Sequence, residues 1–179
     1  MSKVRKIICF INKKIIAFHN LYNVKKYMKK YISFLQKCGI NIPDYKGTGY
    51  IDPSVYFDSS DYRLFTLGNN VTISKEVMML THDYSIWNGM ISIDIQNEHK
   101  RFKFSKPISI GDNCFIGARS FILPGTNIGD NVIIGAGSVV KGTVPSGTVW
   151  CGNPAKCIMS TAEFTHKHIT KQDFMEINE

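Results

Sequence analysis

Long apolar runs are missing from this sequence. The stretch Ile7–Ile11 is cut by Asn12-Lys13-Lys14 before Ile15–Phe18, and neither piece approaches the roughly 20 residues that span a bilayer. No small-residue cleavage site follows a suitable apolar core, so an export signal is not expected. The five cysteines (Cys9, Cys38, Cys114, Cys151, Cys157) form no CxxC pair and no metal-ligand spacing, which removes the usual zinc and dithiol patterns. An odd thiol count without an export signal predicts reduced cysteines and a cytoplasmic chain.

Acid is missing from one end. Residues 1–37 hold ten Lys or Arg and no Asp or Glu, whereas the rest carries 12 basic and 14 acidic side chains. The net charge of +8 therefore describes an N-terminal segment and not the body, and nucleic acid is not expected as the partner of the whole chain. Residues 4–38 read as helical: apolar side chains fall at 24, 27, 28, 31, 32 and 35 while lysines crowd the other side. Gly39 is placed to stop that helix, with Pro43 just beyond. The lysines either sit in water or dock on anionic lipid at the inner membrane face.

What is abundant is a period of six. From residue 110 the chain reads IGDNCF, IGARSF, ILPGTN, IGDNVI, IGAGSV and VKGTVP, with aliphatics at Ile110, Ile116, Ile122, Ile128, Ile134 and Val140. A small or medium side chain follows each by four, at Cys114, Ser120, Thr126, Val132, Ser138 and Val144. The period recurs upstream at Leu67, Ile73 and Met79, and more faintly at Ile51 and Phe57 with four residues inserted before Leu67. Short strands with one inward aliphatic, separated by corners where Gly, Asn or Asp accepts positive φ, stack three to a coil and bury a column no hexad could bury alone. Met79 and Ile110 lie 31 residues apart, out of phase by one. Residues of about 85–107 are therefore expected as a protruding loop, and long loops in compact domains are usually functional.

The block from Pro107 to Ile158, with its run IGDNVIIGAGSVV and its GNPAK at 152–156, resembles the hexapeptide-repeat acetyltransferases. The resemblance is to the branch of maltose, galactoside, nodulation-sugar and polysaccharide O-acetyltransferases, and it covers roughly residues 51–158. It implies an all-β fold, a left-handed parallel β-helix of hexapeptide repeats over 46–158. An N-terminal helical segment over 1–45 and a C-terminal tail or helix over 159–179 complete the expected domains. It also implies a homotrimer with sites between neighbouring columns, acetyl-CoA as co-substrate, and no metal. The basic N-terminal segment departs from the acidic one of several maltose-type enzymes, which bears on the acceptor and not on the donor.

Acetyl transfer to a hydroxyl needs a base near neutrality, and histidine suits it. The resemblance gives that role to His82, acting directly without an acyl-enzyme, against the alternative of a surface histidine at a coil corner. Asp83 is the candidate for orienting the imidazole. For the donor, Gly117, Ala118, Gly135 and Ala136 would keep a coil face clear for pantetheine, Lys141 and Lys156 would meet phosphates, and Asn153-Pro154 would shape the exit near adenine. Solvated lysines and tight corners are the plain alternatives. Asp58, Asp61, Tyr62 and Trp87 are candidates for the acceptor, a sugar or polysaccharide precursor, and His99 in the loop is a weaker one. A zinc hydratase of the same architecture would need three converging histidines, and only His82 lies by the coils. A non-catalytic scaffold and a serine, amino-sugar or antibiotic acceptor remain as rival readings.

Overall fold

The computed structural model describes residues 23–43, 49–58, 61–95 and 100–176. The first half of the expected N-terminal helix, with His19, lies outside these residues, as does His99. Helix α1 spans Val24–Cys38. Asn23 caps it by accepting from the Lys26 N–H at 2.7 Å, and Gly39, at φ 112°, closes it in the left-handed region as expected.

Beyond α1 the chain winds into a three-sided column of parallel strands. The first face stacks Tyr50–Ile51, Thr72–Ile73, Phe115–Ile116, Ile133–Ile134 and Thr148–Gly152. The second stacks Tyr56–Phe57, Met78–Met79, Phe121–Ile122 and Val139–Val140, and the third Phe65–Leu67, Ile108–Ile110, Asn127–Ile128 and Thr143–Val144. In-register neighbours such as Ile73↔Ile116, Met79↔Ile122 and Ile110↔Ile128 align the inward aliphatics coil on coil. All six repeat aliphatics from Ile110 to Val140 are buried, so the periodicity is the core.

The last hexad departs from the expected phase. Val144 pairs with Ile128 and takes the inward aliphatic position itself, so the final coil shortens its third side by two residues. An antiparallel hairpin, Thr148–Gly152 with Ala155–Ser160, then ends the column. Helix α3, Thr161–Lys171, starts from a full capping box between Ser160 and Glu163.

The small inward residues satisfy their own polar atoms. Ser120 and Ser138 donate to Gly135 O at 3.1 and 2.6 Å, and Thr126 donates to Leu123 O at 2.7 Å. A buried hydroxyl without such a partner would cost stability. Burial pushes the Cys114 thiol up to about 11, which keeps it an inert apolar filler.

Helix α1 covers the open end of the first coil. Its Tyr27, Met28, Tyr31, Ile32 and Leu35 are buried, and the Tyr27 hydroxyl donates to Ile51 O at 2.6 Å. One turn along, the Tyr31 hydroxyl is fully buried with no hydrogen-bond partner among the described residues. The two phenols therefore predict opposite responses. Tyr27→Phe should destabilise the fold by about 1 kcal/mol, the net worth of one buried hydrogen bond. Tyr31→Phe should be neutral or stabilising, because it removes an unpaired polar group. Denaturant melts of the two variants check this, and an equal loss in both would contradict it.

Candidate active site

The expected loop leaves the column from the second coil. It opens with His82–Asp83, which pairs antiparallel with Phe104–Ser105 as it returns. The Lys106 N–H closes it on Thr81 O at 2.9 Å. Between these anchors lies helix α2, Ser85–Ser92, a helix where a loop was expected. Trp87 is half-buried on α2 and packs its ring 6.0 Å from Phe102, so it braces the excursion.

Three polar groups converge where the excursion begins. His82 Nδ1 faces Asp58 Oδ2 in a very short contact. The same oxygen accepts from the Thr81 hydroxyl at 2.9 Å and from the Thr81 N–H at 3.2 Å. Asp58 is buried, and the imidazole is partly exposed, with 27% of its side-chain surface open. With Nδ1 turned to that carboxylate, an imidazole that carries its proton on Nδ1 presents Nε2 as an acceptor. The ring of Tyr84 stands edge-on 5.5 Å from the imidazole, and Lys103 Nζ lies 5.8 Å over that tyrosine.

This geometry reassigns two acids. Asp83 does not orient His82: its carboxylate accepts from the Ser85 N–H at 2.7 Å, because adjacent residues in an extended strand point to opposite sides. The carboxylate that faces His82 is that of Asp58, expected as an acceptor ligand and buried here. Asp61 is likewise occupied locally. It caps a single 3-10 turn, Tyr62–Leu64, and holds Arg63 through Nε and Nη2 at 2.9 and 2.8 Å. That guanidinium draws the Asp61 carboxyl down to about 2. Tyr62 packs half-buried 6.5 Å from Phe65.

Interstrand bonds fix which residues share an edge of the column. The N–H groups of Asp58, Leu80 and Leu123 donate to Met79, Ile122 and Val140 carbonyls at 3.0, 2.9 and 2.9 Å. Asp58, Leu80, Leu123 and Lys141 therefore stack in one row. At about 4.8 Å per coil, the exposed Lys141 stands roughly 10 Å along the axis from the His82 level. A second row, between the first two faces, stacks Ser74, Gly117, Gly135 and Cys151, with Ala118 and Ala136 beside it. Gly117 is buried here, and a Cβ on it would lie 2.7 Å from Ala136 Cα. The stacking of the next coil demands this glycine, and Gly135, whose Cβ would sit 2.8 Å from Cys151 Cβ, is under the same demand. Ala136, Asn153, Pro154 and Lys156 are exposed toward the hairpin end. Among the described residues no three His, Cys, Asp or Glu side chains form a metal site, and no helix is long and apolar enough to cross a membrane.

Comparison with known proteins adds four findings. A family model described as the hexapeptide repeat of succinyl-transferase matches residues 107–141. Protein CapG of Staphylococcus aureus is 38% identical over 152 residues, covering 83% of this chain and 83% of that protein. The putative lipopolysaccharide biosynthesis O-acetyl transferase WbbJ of Escherichia coli K12 is 34% identical over 96 residues, 52% of this chain and 48% of its own length. This chain thus spans about half of WbbJ. Among solved structures, a galactoside acetyltransferase in complex with coenzyme A superposes with a TM-score of 0.55 at 22% identity, covering 94% of this chain and 88% of that one.

Proposed function

The chain belongs to the hexapeptide-repeat acetyltransferases, acyltransferases that use acetyl-CoA on a left-handed parallel β-helix, and from that premise we propose that it acetylates a hydroxyl of a sugar or polysaccharide precursor with His82 as general base. One observation supports the proposal: a partly exposed imidazole whose Nδ1 faces a buried carboxylate. In this reading the acceptor hydroxyl donates to Nε2. As its oxygen bonds to the thioester carbonyl carbon, the proton passes to Nε2. Asp58 keeps the ring in place and offsets the positive charge that develops on it. When the C–S bond breaks, the imidazolium returns that proton to the departing sulfur, giving an acetyl ester and free CoA.

The donor fits along the edge that His82 and Lys141 share. Gly125 and Gly142 occupy its corners at φ 81° and 84°; the space beside Gly142 is open, whereas the Lys106 side chain lies against Gly125. Lys141 and Lys156, both exposed, would meet the phosphates as point charges. Ala118 and Ala136 lie along the other edge of the same column, so one copy cannot line a pantetheine groove with both rows. A trimer brings one row of each copy to its neighbour. Its contact surface is supported by the outward side chains of the second face, Tyr56, Met78, Phe121 and Val139, against the polar Thr66, Ser109, Asn127 and Thr143 of the third. Sedimentation should give three times the 20.3 kDa chain mass.

The sugar assignment takes support from the names WbbJ and galactoside acetyltransferase. The basic N-terminal segment supports a peripheral station at an anionic membrane face. The experiment is release of CoA thiol from acetyl-CoA across a panel of sugars, nucleotide sugars, serine and amino sugars. Turnover is expected with a sugar hydroxyl. Turnover with serine or an amine alone would replace the acceptor, and none with any acceptor would favour a scaffold.

A further inference from the structure

The charge on α1 is one-sided, and α1 sits at one end of the column. Lys26, Lys29, Lys30 and Lys37 are exposed on the side opposite the buried Tyr27, Met28, Tyr31, Ile32 and Leu35. No acid interrupts the helix. The far end of the column is different, since α3 mixes Glu163 and the nearby Asp173 with Lys167 and Lys171. The outer face of α1 is a cationic cap over the first coil and nothing comparable balances it.

We propose that this cap is a docking surface for an anionic phospholipid bilayer and that it stands the column upright, with the acceptor side of the His82 site turned to the lipid. The deeper half of the proposal rests on the acetyltransferase reading given above; the docking itself does not. Three observations converge. The lysine row is borne on a helix whose inner face packs on the column end, and its Lys26, Lys29 and Lys37 are exposed on the outer face. The levels of the site are ordered along the axis. Asp58 lies on the first coil, the coil that α1 covers, and His82 leaves the second. Lys141 and Lys156 belong to the coil and hairpin at the far end. At about 4.8 Å per coil, the imidazole stands one coil above the first, and with α1, about 10 Å thick, between that coil and the surface it lies about 15 Å from the lipid, so the sugar must be carried outward from its lipid phosphate by that much. The donor's nucleotide would enter from the opposite, solvent side.

Third, the chemistry of the exposed face suits headgroups better than a nucleic acid. Between the lysines lie Ser33 and Gln36, with no exposed arginine or aromatic ring on α1 to stack on a base. Polybasic clusters at the inner leaflet gain about fivefold in binding per lysine near the surface, and the gain is screened by salt.

The test uses the full chain and flotation with vesicles of phosphatidylcholine alone or with phosphatidylglycerol. Binding is expected only to the anionic vesicles and should fall with added salt. The variant Lys26→Gln, Lys29→Gln, Lys30→Gln keeps helix-forming residues and removes three charges, so its binding should weaken about a hundredfold. Its turnover of a soluble acceptor should match that of the parent protein. Equal flotation of the variant and the parent, or binding to duplex DNA in preference to vesicles, overturns the proposal. A chain that floats but shows no acetyl transfer keeps the docking and rejects the enzyme reading, so the two failures are separable.

Discussion

His82→Asn should lower kcat by roughly 10⁴-fold, the upper end of what a positioned base contributes, while KM for acetyl-CoA stays within about twofold. Asparagine keeps an N–H donor toward the buried Asp58, so the carboxylate is not abandoned, but it offers no nitrogen that can take the hydroxyl proton. The loss falls on the step in which the proton moves and not on donor binding, which the mechanism places farther along the column. Single-turnover kinetics with acetyl-CoA held well above KM would separate the two. A variant with near-parental kcat would sink the base assignment whatever else it did. The fold should survive, because His82 lies outside the aliphatic column and is partly exposed. Thermal melts of parent and variant should coincide within a few degrees.

The column was legible because its physics is local and repeated. Each hexad carries its own inward aliphatic, so Ile110, Ile116, Ile122, Ile128, Ile134 and Val140 announce the core one after another, and all are buried. Gly39 as the stop of α1 was readable for the same reason, since a left-handed residue at a helix end is nearly a glycine's monopoly. Where the period changes, reading by phase breaks down. Val144 looks like a member of the small inward series until the third side proves two residues short and pairs it with Ile128. Helix α2 was hidden inside the excursion because its eight residues, SIWNGMIS, carry a glycine and no side-chain cap. Propensity alone says little over so short a span.

The glycines teach a related lesson. Spacing leaves Gly117 and Gly135 open to ligand clearance, to tight geometry or to both, and in the column a side chain at either would run into the neighbouring coil. A strict period makes every member look like part of one surface. Which side of the backbone a glycine spares becomes clear only when the next coil is placed beside it. The orienting acid failed from sequence for the converse reason. Asp58 and His82 are 24 residues apart, and the usual coil of 18 would not bring them together. The inserted turn at Tyr62–Leu64 lengthens the coil, so Phe57 pairs with Met79, and Asp58 arrives beside Thr81 and His82. Counting the four inserted residues into the coil would have found it.

Asp58→Asn is the sharper test, because it separates positioning from packing. One carboxylate oxygen takes the Thr81 hydroxyl, the Thr81 N–H and the His82 Nδ1 contact. An amide has the same shape but carries no charge, and it can turn its NH₂ toward the imidazole. Either effect harms the base: the first removes the group that offsets the imidazolium, and the second forces the proton onto Nε2, which then cannot accept. The same carboxylate-to-amide change in a serine-protease triad costs about 10⁴-fold. Here a loss of about 10³-fold in kcat is expected, with KM for acetyl-CoA little changed. The decisive measurement is the double variant. If Asp58 acts only through His82, adding Asp58→Asn to His82→Asn should cost almost nothing further, since the group it serves is already gone. If Asp58 matters merely by filling its buried site, the two losses multiply, and the positioning role falls even while the base assignment stands.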